Sequence, residues 1–197
     1  MQRIESLAEL ASFLGSCNKC ELRGYGSKPV PGTGASNAKL FVVGEAPSYK
    51  AELERQPFVG WTGDYLARCL EYISLPREEV YMTNAVKCAL REKTGNIRRN
   101  GHGPYGQHLL ACHPWLEQEL HIVNSKIVLA IGWAALNALL GISVGTFHQK
   151  GYCQEINGRF YCAIYHPGRH SGVLREEDKK MLDQIRSLLS SACMSDK

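Results

Sequence analysis

Two hydrophobic patterns alternate along the chain. Apolar residues recur at helical spacing in residues 3–14, where Ile4, Leu7, Ala8, Ala11 and Leu14 share one face. The same spacing predicts helices at 63–74 (Leu66, Cys69, Leu70, Ile73), Leu109–Ile122, 133–140 and 175–191. Pro114 is expected in the first turn of its helix, where no intrahelical N–H is needed. Between the helices lie short β-branched runs without polar alternation: Lys39–Gly44, Val80–Val86 and Lys126–Gly132. Uninterrupted apolar strands of this kind predict a sheet covered on both faces. Gly151–Ile156 and Arg159–Tyr165 flank Asn157-Gly158, a two-residue hairpin signal. Gly24–Gly34 is rich in Gly and Pro and reads as irregular loop.

Strands alternating with helices predict an α/β fold, a three-layer α/β/α sandwich around a mainly parallel central sheet. No repeat, low-complexity tract or linker divides the chain, so residues 1–197 are expected to form a single domain. In such sheets the ligand site lies beyond the carboxyl ends of the strands. That rule points to the loops after Gly44, Thr83 and Tyr165.

Composition narrows the class. Hydrophobic residues make up 44% and charged residues 21%, which excludes a disordered chain, a collagen or a disulfide miniprotein. No apolar run approaches the roughly 20 residues of a membrane helix. The N-terminal MQRIESLAEL carries acidic and basic residues in an amphipathic pattern, unlike a secretory signal, so a cytoplasmic protein is expected. The net charge of +4 is concentrated. Between Lys87 and His102, Lys87, Arg91, Lys93, Arg98 and Arg99 stand against the single acid Glu92. Such a strip suits a phosphate backbone, and equally a solvated loop.

Eight cysteines in a chain without a signal suggest thiols or metal ligands rather than a disulfide framework. Cys17 and Cys20 form a C-x-x-C, Cys88 follows the second strand and Cys112 opens C-H-P-W-L. This set is compatible with zinc, with a 4Fe–4S cluster and with four independent thiols. Cys69, Cys193 and the pair Cys153 and Cys162 read as structural. A two-residue turn would set the last two opposite each other, as buried free thiols.

The ordered motifs resemble one family. Gly44-Glu45-Ala46-Pro47 with Pro57-Phe58-Val59-Gly60-x-x-Gly63 resembles the first motif of family 4 uracil-DNA glycosylases. Thr83-Asn84-Ala85-Val86-Lys87-Cys88 resembles their second strand motif, Cys112-x-Pro114-Trp115-Leu116 their last cluster cysteine, and Tyr165-His166-Pro167 the start of their histidine loop. The resemblance implies the glycosylase form of the α/β/α sandwich and cleavage of the N-glycosidic bond of uracil in DNA. It also implies a structural 4Fe–4S cluster on Cys17, Cys20, Cys88 and Cys112. Phe58 would stack on the flipped base, and Asn84, with amide donor and acceptor, would read its polar edge. Gly44 and Ala46 would hold the base through their backbone. His166 would stabilise the anion that develops on departing uracil, and Glu45 would orient water or stabilise a cationic sugar. Singly, each has an ordinary reading: a core aromatic, a turn, a structural histidine, a helix cap.

Some positions depart from the family pattern. Ser48 replaces a glycine, and Ala51-Glu52 stands where two adjacent acids are usual, which would widen the pocket. The histidine loop reads His166-Pro167-Gly168-Arg169-His170, a cationic tip without an apolar wedge, so Arg169 and His170 join Lys87, Arg91, Arg98 and Arg99 as expected DNA contacts. Arg98-Arg99-Asn100-Gly101-His102 loosely resembles the basic loop of the UdgX branch, which attaches covalently to the sugar. The alternative is therefore a protein that binds or crosslinks uracil-DNA without turnover. No lysine is placed for Schiff-base chemistry, so the expectation is a monofunctional, monomeric hydrolase acting on uracil-containing DNA, single- or double-stranded, in base excision repair.

Overall fold

The computed structural model describes residues 4–97, 106–141, 152–167 and 173–195. The elements run α1 (Leu7–Gly15), β1 (Leu40–Gly44), α2 (Tyr49–Glu54), α3 (Trp61–Tyr72), a short 3₁₀ turn (Arg77–Glu79), β2 (Val80–Asn84), α4 (Gly106–Val123), β3 (Ile127–Ile131), α5 (Trp133–Leu140), β4 (Tyr152–Ile156), β5 (Arg159–Ile164) and α6 (Glu176–Ser195). The sheet order is β2-β1-β3-β5-β4. All neighbours are parallel except β4 and β5.

Every residue of β1, β2 and β3 is buried, as their unbroken apolar sequences require. Successive side chains point to opposite faces and meet two different cores. Phe41, Val43, Tyr81 and Val128 pack with Leu116 of α4 and Leu136 of α5. Leu40, Val42, Met82 and Leu129 pack with Leu66 and Leu70 of α3 and Leu182 and Ile185 of α6. The expected three layers are therefore present, and α1 lies outside α4 through Leu10, Leu14 and Trp115. None of the described helices is long and apolar enough to cross a membrane.

Two expectations are corrected. Pro114 lies well inside α4 rather than in its first turn, because the helix already runs from Gly106, ahead of the expected Leu109. Cys153 and Cys162 are not free thiols: the hairpin register sets them directly opposite and they are joined as a disulfide. The hairpin itself turns at Asn157 (φ 52°) and Gly158 (φ 76°), the paired positive φ values of a two-residue turn. Cys69 is buried as a core thiol, and the side chain of Cys193 lies outside the described residues.

Helix α2 was not expected from periodicity, being only six residues long. Its start is set by Ser48, whose hydroxyl accepts the Ala51 N–H at 3.1 Å. The serine that departs from the family pattern thus caps a helix at the edge of the site.

Candidate active site

The carboxyl ends of β1, β2, β3 and β5 open on one cavity of about 230 Å³, lined by Gly44, Glu45, Ala46, Phe58, Asn84 and His166 together with Ser48, Ala51 and Ile131. That is smaller than the roughly 300–1,000 Å³ of drug-sized ligand pockets and suits a single planar ring. Gly44 ends β1 opposite Asn84 of β2. A Cβ on Gly44 would stand 2.5 Å from Asn84 Oδ1 and 3.0 Å from Phe58 Cζ. Glycine is therefore needed there because the amide and the ring already fill the space. Phe58 is buried with φ 54°, a conformation that costs a non-glycine residue about 1–2 kcal/mol. Its carbonyl accepts Arg77 Nη2 at 3.3 Å, and it lies so close to Gly63 that a Cβ there would meet it at 2.0 Å. The surroundings thus hold the aromatic face in a strained but fixed position.

Glu45 and His166 meet at a second glycine. Gly132, at the end of β3, has φ +91°, and a Cβ there would stand 2.6 Å from Glu45 Oε1 and 3.0 Å from His166 Cβ. Burial pushes the Glu45 carboxyl above its ordinary value, opposed by charge on His166 and by the Ala134 N–H that it accepts. Ala134 lies in the first turn of α5, whose N-cap Gly132 has no side chain. Glu45 therefore does cap a helix, and the same bond aims its carboxylate beside His166. The strand leading to His166 is fixed by Asp178, a buried carboxylate of α6. Asp178 Oδ1 accepts the Tyr165 N–H at 3.1 Å and Oδ2 accepts the Tyr65 hydroxyl at 2.6 Å.

Lys87 is not part of a cationic surface, contrary to the sequence expectation. It is 1% exposed. Its Nζ donates to Glu119 Oε2 (2.5 Å), Thr83 Oγ1 (2.7 Å) and the Asn84 carbonyl (2.8 Å). Glu119 also accepts from Thr83 Oγ1, the Gly32 N–H and the Tyr81 hydroxyl. A charged amine this close to Asn84 in sequence is drawn inward because the carboxylate of α4 waits behind the strand. Arg91 is half-buried, bonded to Glu52 and to the Gly95 carbonyl. Glu52 faces away from the cavity, accepting also the Lys28 N–H at 2.6 Å, so Ala51 forms that part of the wall. Arg98, Arg99, Arg169 and His170 lie outside the described residues.

A family model described as the Uracil DNA glycosylase superfamily matches residues 31–190. The chain belongs to the uracil-DNA glycosylase superfamily. It is 30% identical over 195 residues to the Type-4 uracil-DNA glycosylase of Archaeoglobus fulgidus, covering 94% of each chain. It is 29% identical over 199 residues to the Type-4 uracil-DNA glycosylase of Saccharolobus solfataricus, covering 95% of this chain and 88% of that one. A Type-5 uracil-DNA glycosylase of Pyrobaculum aerophilum is 29% identical over 185 residues, covering 84% of this chain and 76% of that protein. Identity and coverage together place the chain with the family 4 members of the superfamily.

Cys17, Cys20, Cys88 and Cys112 are all free. Burial pushes Cys88 up to about 12 and Cys112 up to about 11, and each is also raised by the neighbouring thiols, Cys17 and Cys20 among them. The Lys87 N–H donates to Cys112 Sγ at 3.5 Å. The four lie within electrostatic reach of one another, and soft thiolates from three segments suit an iron–sulfur or zinc group. Among the described residues, no three His, Cys, Asp or Glu side chains stand as a closed metal-binding group.

Sequence reading missed Gly132, Ala134, Asp178 and Glu119. Gly132 follows a strand, so the same rule that selected Gly44 would have reached it. Asp178 and Glu119 sit in amphipathic helices, where an acid ordinarily marks the solvated face.

Proposed function

We propose that this chain is a monofunctional uracil-DNA glycosylase, hydrolysing the N-glycosidic bond of uracil or a related deaminated base in DNA. The observation that supports it best is the convergence of Phe58, Asn84, Glu45 and His166 on one small cavity at four strand ends. A base extruded from the strand enters the cavity. Phe58 packs on its face, the Asn84 amide reads its polar edge, and backbone amides after Gly44, at Ala46, add hydrogen bonds. When the bond between N1 and the sugar breaks, its electron pair leaves with the base, and His166 donates a hydrogen bond to the oxygen that gains charge. Water adds to the sugar carbon with Glu45 accepting its proton. Lys87 Nζ already serves three acceptors, which supports hydrolysis over Schiff-base chemistry. The reading is of a monomer in the cytoplasm acting on single- or double-stranded DNA in base excision repair. Nothing in the comparisons favours the crosslinking alternative.

The deciding assay incubates the protein with oligonucleotides carrying uracil, hypoxanthine or xanthine. Alkali-sensitive breaks at uracil support the reading, and a band shifted on a denaturing gel would replace it with crosslinking. Because burial raises Glu45 and the ionised form is the one that accepts a proton, the rate should climb with pH through a value above the ordinary carboxylate range. Glu45→Gln should lower the rate and remove that limb from the pH profile. An unchanged profile would take the base role from Glu45.

Cys17, Cys20, Cys88 and Cys112 would hold a 4Fe–4S cluster, whose contribution when bound is structural: metal-binding energy becomes folding energy. Cys112→Ser should lose iron and lower the urea midpoint together. Anaerobically purified protein with stoichiometric zinc and no iron would overturn the cluster while leaving the ligand set.

A further inference from the structure

Six large apolar or aromatic side chains among the described residues are markedly exposed, and two of them adjoin cavity-lining residues in the chain: Tyr49 (52% exposed) and Trp61 (43%). Tyr49 opens α2 directly after Ser48, and Trp61 opens α3 between Val59 and Thr62; Ser48, Val59 and Thr62 all line the cavity. The two helix starts are adjacent in space, since a Cβ on Gly60 would meet Lys50 Cδ at 3.5 Å. Behind the Tyr49 ring stands the Arg91 guanidinium, 5.9 Å from its centroid and itself bonded to Glu52 and Gly95. One face of the ring is thus backed by a cation that is held in place, while much of the residue remains open to solvent. Exposed Lys50 and Arg55 lie on the same short helix and its cap, with Glu54 3.7 Å from Lys50.

Two exposed aromatic side chains beside a base-sized cavity have an evident occupant. Extruding one base from a strand uncovers the π-faces of its neighbours, and these must lie at the mouth when the base is inside. Bases stack on aromatic side chains without regard to sequence. We propose that Tyr49 and Trp61 form a stacking platform for the bases adjoining the extruded nucleotide, with Lys50 and Arg55 beside the phosphates. The proposal deepens the reading of the cavity as a base pocket and rests on it.

The test measures affinity, by fluorescence anisotropy, for a single-stranded oligonucleotide carrying 2′-fluoro-deoxyuridine, whose glycosidic bond resists cleavage. Trp61→Ala and Tyr49→Ala should each weaken binding about ten-fold, with Trp61→Phe retaining most of the affinity. Replacing one neighbouring base by an abasic spacer should weaken wild-type binding by a similar factor and leave the corresponding alanine variant unaffected. Each side chain is about half exposed, and a thermal melt of every variant, with Trp61→Phe keeping the ring, separates lost stacking from lost folding. Affinities within two-fold of wild type, or equal loss from the spacer in wild type and variants, would overturn the platform. If the wild type releases no base yet shows the coupled loss, the glycosylase reading falls and the platform stands.

Discussion

Replacing His166 by alanine should lower the single-turnover rate of uracil release about 10²–10³-fold while changing DNA affinity little. The charge it faces is absent in the bound state and grows only as the glycosidic bond lengthens, so the interaction acts on the barrier rather than on binding. Loss of one such donor typically costs this much. The effect should be near its upper range because the chain before His166 is held at Tyr165 by Asp178, and His166 and Glu45 both close on Gly132, where a Cβ would crowd them. Single-turnover kinetics with enzyme in excess, alongside anisotropy on an uncleavable substrate, separates rate from affinity. Equal losses in both would make His166 a binding residue. A rate within three-fold of wild type would remove it from the reaction.

The largest expected loss of stability follows from Glu119→Ala. That change strips Lys87 Nζ of its carboxylate in a fully buried position and leaves the hydroxyls of Thr83 and Tyr81 short of an acceptor. Breaking a buried ion pair from one side costs about 3–5 kcal/mol, a large part of the stability of a domain this size. The double variant Lys87→Met/Glu119→Leu should recover most of the loss, because no charge is then stranded. Urea unfolding of the three proteins decides it, and if Glu119→Ala does not fold, recovery by the double variant carries the result. A Glu119→Ala midpoint equal to wild type would mean that water reaches Lys87.

The layers, the burial of the central strands and the position of the cavity were legible because they follow from local rules. Unbroken apolar strands demanded two covered faces, and parallel strands put the site at their carboxyl ends. Asn84, Phe58, Glu45 and His166 were readable as an ordered set, through the family resemblance, though no spacing rule alone would bring them together. Lys87 was misread because charge along a sequence carries no direction. A lysine on a strand end looks the same whether it faces solvent or an acid on a helix 32 residues away. The disulfide was equally hidden: Asn157-Gly158 gave the register, but register alone does not say whether opposed thiols are joined.

The Asn157-Gly158 hairpin lies where β5 begins, whereas the cavity opens where β5 ends. Six residues of strand separate them, about 20 Å. The turn and the cavity mouth therefore stand on opposite rims of the sheet. A fluorophore, a surface tether or a fused domain attached at that turn would leave the cavity mouth clear for DNA, and the fold itself designates the point by which the protein can be held while it works.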